Sequence, residues 1–355
     1  MLRCSVFFAL VALLGFSRLA AAEPPLRPRV VVVTMFEVGQ DTGDAPGEFQ
    51  YWVEREKLDK VYPLPAAFHD VRSNADGTVI GIVTGMGTAR SAATIMALGS
   101  DPRFDLSRSY WLVAGIAGVD PAKASLGSAA WAEWLVDGDL GHEIDPREMP
   151  ADWPTGYVPF DRKKPYEQPR NTADNGQAFH LDAGLVNWAY ERTKAIALKD
   201  TPEMQQRREL YKGFPNAQRP PFVLKGDNLA SMTFWHGKLL NAWANEWVSY
   251  HTDGQAHYTT TAMEDTGTAQ ALTWLTRAGR ADVRRLLVLR TASNFDMQWP
   301  GGTAEESLFG KKLSAFIPSL EAAHRVGSVV VHELVNDWTK YEKEIPQAAA
   351  PATVR

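Results

Sequence analysis

"RLLVLRTASNFDM", residues 285–297, runs an apolar, strand-like stretch directly into Arg290, Thr291, Ser293, Asn294 and Asp296, with no glycine or proline between. A parallel strand covered on both faces reads as a continuous Val/Leu/Ile run, and in open α/β sheets ligands bind beyond the carboxyl ends of such strands. The polar end therefore marks either a binding edge or an ordinary strand terminus opening into a loop. Apolar runs of the same size recur: "RVVVVTMF" (29–36), "TVIGIVTGMG" (78–87), "YWLVAGIAG" (110–118) and "SAAWAEWLVD" (128–137). Helical or loop material separates them, and this rhythm predicts an α/β domain with a mixed, mainly parallel sheet flanked by helices.

The chain begins "MLRCSVFFALVALLGFSRLAAAEPP": Arg3, an apolar run from Val6 to Phe16, then Ala20, Ala21 and Ala22. This is the layout of a secretory signal peptide over 1–22, and it predicts an exported protein, periplasmic or extracellular after cleavage. The one cysteine, Cys4, leaves with it, so the mature chain relies on its core and not on disulfides. Removing Arg3 and Arg18 leaves 35 of 37 basic residues against 42 acidic ones, so the formal charge goes from −5 to −7. With no basic cluster, polymeric nucleic acid is not an expected partner. Beyond Glu23 no stretch approaches the roughly eighteen consecutive apolar residues of a membrane helix, which argues against a carrier acting alone.

The remaining chain reads as one domain over 23–345, with an insertion at about 142–257 and a disordered tail over 346–355. The insertion is rich in Pro, Asn, Asp, Trp and Arg, and is expected to elaborate one edge of the sheet. Within it, "DAGLVNWAYERTKAIAL" and "HGKLLNAWANEWVSY" show helical spacing at Leu185, Trp188, Ala189 and at Leu239, Ala242, Trp243, Trp247.

Several short motifs bear on chemistry. "TGMGTARSAA" puts Gly85 and Gly87 between a strand and a helix, where close backbone approach and free amides suit a polar ligand. "LVAGIAGVDP" repeats the device at Gly115 and Gly118, fitting either a flat ligand or close sheet packing. "TTTAMEDTGTAQAL" places Glu264 after Met263 at a strand-to-helix junction; its carboxylate either meets the helix dipole or accepts from paired sugar hydroxyls. His142, His180, His236, His251 and His257 lack metal-ligand spacing, and neither a metal nor another cofactor is expected.

In their order these segments resemble the purine nucleoside phosphorylase and nucleosidase superfamily, and most closely its branch of exported proteins called purine nucleoside permeases. The resemblance implies a phosphorylase/hydrolase-like fold and a purine nucleoside ligand. It places Ala114, Gly115, Ala117 and Gly118 beside the base, Met263 and Glu264 on the ribose, and Asn294 at the purine imidazole nitrogen. Ser293 supports that end, and Asp296 is the nearby carboxylate. An Asp kept protonated could deliver a proton to the leaving base, whereas Asn294 donates a hydrogen bond suited to a six-oxo purine.

The arginines with which the family's phosphorylases hold phosphate are missing from "TMFEVGQDTGDAPGEF" and "YWLVAGIAG"; Arg90 and Arg290 are the substitutes available. The acidic first loop resembles that of nucleosidases, which implies a water-activating carboxylate, with Glu37 first and Asp41 second. Trp52 and Trp235 are candidates for stacking on a purine. Two readings follow: hydrolysis of the N-glycosidic bond, or non-catalytic binding that delivers nucleosides to a separate membrane transporter. Assembly into a homo-oligomer is expected from the relatives.

Overall fold

The computed structural model describes residues 24–160, 162–170, 176–310 and 315–348. The expected signal peptide and residues 349–355 of the expected tail lie outside them.

The strands expected from the apolar runs form at Val30–Thr34, Val79–Val83, Tyr110–Val119 and Leu286–Phe295. Val30 to Val33 are fully buried, as expected of a strand covered on both faces, where each such side chain contributes about 1.5–3 kcal/mol on burial. "SAAWAEWLVD" is not one strand: it divides at Glu133 into Ala129–Ala132 and Trp134–Asp137. The break is physical, since the first piece pairs with Leu286–Phe295 and the second with Asp227–Ala230.

Strand Tyr110–Val119 organises the sheet. Along one edge it pairs in parallel with Leu286–Phe295. Along the other it pairs with Val30–Thr34 from Tyr110 to Val113, then with Tyr258–Ala262, antiparallel, at Gly118 and Val119. Strand Leu286–Phe295 continues through the polar residues of the opening stretch and shifts register between Ala292 and Asn294. Arg290, Thr291, Ser293 and Asn294 therefore belong to the strand, and of the polar residues in that stretch only Asp296 lies beyond it.

The stretch expected to elaborate one edge, at about 142–257, also enters the sheet. Its strand Asp227–Ala230 lies inside the sheet, between Trp134–Asp137 and Tyr258–Ala262, while Ala178–His180 forms an outer strand. Helices appear at Ala183–Thr193 and Lys238–His251. Trp243 and Trp247 are buried as the spacing predicts, whereas Leu239 and Ala242 face outward; Asn241, Ala244, Val248, Tyr250 and His251 complete the buried face, and Asn241 bonds a buried carboxylate.

Helix Phe316–Asn336 packs on strands Tyr110–Val119 and Leu286–Phe295, while helices Thr88–Ser100 and Asp265–Arg277 pack on each other. Their approach depends on Gly267: a Cβ there would stand 2.2 Å from the Thr88 carbonyl oxygen. Gly267→Ala should therefore destabilise the protein by about 1–3 kcal/mol through backbone separation. Urea unfolding should show a lower midpoint at unchanged slope; an unchanged midpoint would show that the helices yield freely.

Candidate functional site

Between its two partners, strand Tyr110–Val119 leaves Ala114–Ala117 without a strand on one edge. A solvent-open cleft lies there, lined by Met35, Glu48, Ile116, Glu264, Ser293 and Asn294 among others. The amide of Ile116 donates to Glu48 Oε1 at 2.7 Å, and the amide of Met35 donates to Glu48 Oε2 at 2.7 Å. Glu48 lines the cleft and is 5% exposed. Burial pushes its carboxyl up to about 8; the Arg290 charge opposes that rise and Glu264 adds to it.

Arg290 is 1% exposed and almost fully engaged. Its guanidinium donates to Asp265 Oδ1 at 2.5 Å, to Glu264 Oε2 at 2.9 Å and to the Ile116 carbonyl at 3.2 Å. Asp265 also accepts from Asn228 Nδ2 at 2.5 Å, and Asn228 Oδ1 accepts from Thr260. Gly115 makes this crowding feasible, since a Cβ there would stand 2.0 Å from Met35 Cε, 2.6 Å from Glu48 Oε1 and 2.7 Å from Arg290 Nη1. Glu264 accepts the amides of Gly87 and Met263, each at 3.2 Å. Gly87 caps helix Thr88–Ser100, so the carboxylate sits at the positive end of a helix, while burial raises its pKa.

At the other end of the cleft, Ser293 Oγ donates to Asn294 Oδ1 at 2.9 Å and Asn294 Nδ2 donates to the Phe295 carbonyl at 3.0 Å. The amide is thereby oriented with one hydrogen to spare. Gly118 lies against it: a Cβ there would be 3.3 Å from Asn294 Nδ2.

Of the residues singled out from the sequence, Ala117, Gly118, Met263, Glu264, Ser293 and Asn294 line the cleft. Gly85, Gly87, Ala114 and Gly115 do not line it; Gly87 and Gly115 act through the room and the amide they supply. Two expectations are corrected. The carboxylate of Glu37 is held by the amides of Val38, Gly47, Phe49 and Gln50, so it shapes its own loop and does not reach the cleft. Asp296 is fully buried beside Asn241 and Tyr258, off the cleft wall, so it cannot hand a proton to a bound base directly.

Asp41 is likewise taken, by His69 and Arg72. Arg290 is spent on carboxylates and Arg90 is exposed off the cleft, so neither replaces the missing phosphate arginines. Of the two tryptophans, Trp235 lines the cleft and Trp52 packs against His324. Sequence reasoning missed Glu48, Met35, Phe36, Met86, Thr233 and Phe234. Among the described residues no group of three or more His, Cys, Asp or Glu is placed to hold a metal.

The family profile described as purine nucleoside permease (NUP) matches residues 27–346. The chain belongs to the purine nucleoside permease family. It is 29% identical over 321 residues to the purine nucleoside permease of Candida albicans, covering 89% of this chain and 77% of that one. It is 27% identical over 327 residues to a probable purine nucleoside permease of Schizosaccharomyces pombe, covering 88% and 90%.

Among solved structures, it is similar to the 5'-methylthioadenosine/S-adenosylhomocysteine nucleosidase of Campylobacter jejuni, with TM-score 0.51, 14% identity, and 87% and 99% of the two chains covered. The Streptococcus pneumoniae MTA/SAH nucleosidase in complex with 8-aminoadenine gives TM-score 0.50 at 15% identity, covering 86% and 99%. This permease-family chain thus has the phosphorylase/nucleosidase fold. Among its described residues no helix is long and apolar enough to cross a membrane.

Arg290 is the counter-charge to three buried carboxylates. Arg290→Met should cost about 3–5 kcal/mol at pH 8, because it leaves uncompensated buried charge. A carboxyl whose folded pKa lies above its unfolded value, as Glu48 does at about 8 against 4.5, contributes stability that is lost as pH rises through that window. The variant's deficit should accordingly shrink between pH 8 and pH 5 in urea unfolding; an equal deficit at both would contradict the assignment.

Proposed function

We propose that the cleft binds a purine nucleoside and hydrolyses its N-glycosidic bond. The observation that carries this is Glu48: a buried carboxyl in the cleft wall, aligned by two amides and lying beside the Arg290 and Glu264 group. In this reading Glu264 accepts from the ribose hydroxyls while Met263 packs on the sugar. Asn294 donates its spare amide hydrogen to the imidazole nitrogen of a six-oxo purine, and Trp235 offers a face to the base.

Breaking the bond leaves negative charge on the base and an oxocarbenium-like sugar. Glu48, once ionised, takes a proton from water as that water attacks the anomeric carbon, and Asn294 stabilises the departing base without protonating it. Water is favoured over phosphate on charge grounds. The amides of Ile116, Met35 and Gly87 are already engaged by carboxylates, and a phosphate dianion placed among Glu48, Glu264 and Asp265 would meet like charge with no free arginine in the cleft.

The second reading is a nucleoside-binding component that serves a separate membrane transporter. It draws on one feature: the residue at the base end is Asn294, which has no proton to give up. Export through the segment 1–22 fits both readings, and N-terminal sequencing of the secreted protein should begin at Glu23.

Purified protein incubated with inosine, with and without phosphate, should release hypoxanthine and free ribose at the same rate in both. Tight inosine binding without release would favour the binding component. A base must be ionised to act, so kcat/KM should rise with pH and level off above about 8, the value to which burial pushes Glu48. Glu48→Gln should lower kcat by at least about 100-fold with KM little changed, the size expected for a positioned general base; retained kcat would remove Glu48 from the mechanism.

A further inference from the structure

Adjoining Asn294 is a buried polar network to which the proposed chemistry gives no task. Asp296, fully buried, accepts from Asn241 Nδ2 at 3.1 Å on each carboxyl oxygen and from the hydroxyl of Tyr258. Asn241 is joined through its carbonyl to Asn245 Nδ2 at 3.0 Å, which also donates to Asp120 Oδ2 at 3.1 Å. The groups come from four elements: the ends of strands Tyr110–Val119 and Leu286–Phe295, strand Tyr258–Ala262, and helix Lys238–His251.

The main chain of Asp296 is equally committed. Its amide donates to the Val119 carbonyl at 3.0 Å, and its carbonyl accepts from Gly237 at 2.9 Å. Gly237 has φ 129°, a conformation reserved in practice for glycine, and it ends the segment that carries Thr233, Phe234 and Trp235 along the cleft. The Tyr258 ring, whose hydroxyl is on Asp296, lies 6.2 Å from the ring of Trp235. Asp296 also lies against Gly118, where a Cβ would be 3.5 Å from its own Cβ.

We infer that Asp296 is a positioning residue, whose side chain and main chain together hold Asn294, Trp235 and Gly118 in register around the base end of the cleft. The identity of the ligand rests on the nucleoside reading; the geometry does not. The carboxyl binds Asn241 and Tyr258, the main chain binds Val119 and Gly237, and the Cβ lies against Gly118, so one residue two positions after Asn294 ties together the elements that frame the base end. Burial, reinforced by the charge of Asp120, pushes Asp296 up to about 7, while Tyr258 and Asn241 oppose the rise. Tyr258 itself is held well above its ordinary range by burial, so it stays a donor. Tyr211 also faces Asp296, with its hydroxyl on the Met297 carbonyl. Asp296→Asn keeps the shape in a neutral form and should match the wild type at pH 6, whereas Asp296→Ala removes the anchor.

Two measurements decide the matter. In the ligand-free protein, the nitrogen-15 side-chain amide signals of Asn294 should move in Asp296→Ala and return in Asp296→Asn. Movement of the Asn241 signal alone would overturn the inference. With ligand, the wild type should prefer inosine to 7-deazainosine, which lacks the imidazole nitrogen, by about tenfold, the worth of one hydrogen bond. That ratio should fall to near one in Asp296→Ala and recover in Asp296→Asn at pH 6, while the preference for inosine over 2',3'-dideoxyinosine stays.

Retention of the tenfold ratio, or loss of base and sugar selectivity together, would overturn the positioning role. Tyr258→Phe, which removes only the hydroxyl, should lower the ratio in the same direction, and serves if Asp296→Ala does not fold. A wild type that fails to bind inosine would overturn the nucleoside reading, and the amide signals would then decide the positioning role alone.

Discussion

The site depends on one guanidinium that carries three buried carboxylates. Arg290 neutralises Asp265 closely, shares Glu264, and lies within electrostatic reach of Glu48. Removing a cation from such a cluster leaves several buried charges without compensation, a larger effect than the loss of any surface pair. Three parts of the chain far apart in sequence converge on it: the first loop through Glu48, the start of helix Asp265–Arg277, and the last long strand. Gly115 is small because this convergence takes the space in which a side chain would sit.

The cluster also divides labour along the cleft. At one end, the carboxylates of Glu48 and Glu264 line the cleft, where they suit hydroxyl groups and a developing positive charge. At the other, Ser293, Asn294 and Gly118 present an oriented amide and a bare strand, which suits a flat, neutral base. The proposed function lays a nucleoside along this axis. The permease name of the relatives and the nucleosidase fold are compatible under the proposed function, in which hydrolysis requires an ionised Glu48 and a water at the anomeric carbon.

The sheet and its main strands were legible in the sequence because continuous Val and Leu runs are local signals, whereas the Met263–Glu264 and Ser293–Asn294 pairs stood out only through the resemblance of the ordered motifs to a known family. The choice between Glu37 and Glu48 was not legible. Both are acidic residues of one loop, and only the folded loop shows that Glu37 is consumed by four amides while Glu48 reaches Ile116. Asn294 and Asp296 were equally inseparable, since residues two apart share a face in a regular strand; here the strand ends at Phe295 and Asp296 turns into the core. The part played by Thr233, Phe234 and Trp235 had no periodic signature, because it belongs to an irregular segment fixed at Gly237.

The most direct measurement is a crystal structure of the Glu48→Gln protein with inosine bound. The account predicts the ribose hydroxyls on Glu264, the imidazole nitrogen of the base on Asn294 Nδ2, and the anomeric carbon facing residue 48 with a water between. A nucleoside bound elsewhere, or one that leaves both Glu264 and Asn294 untouched, would contradict it.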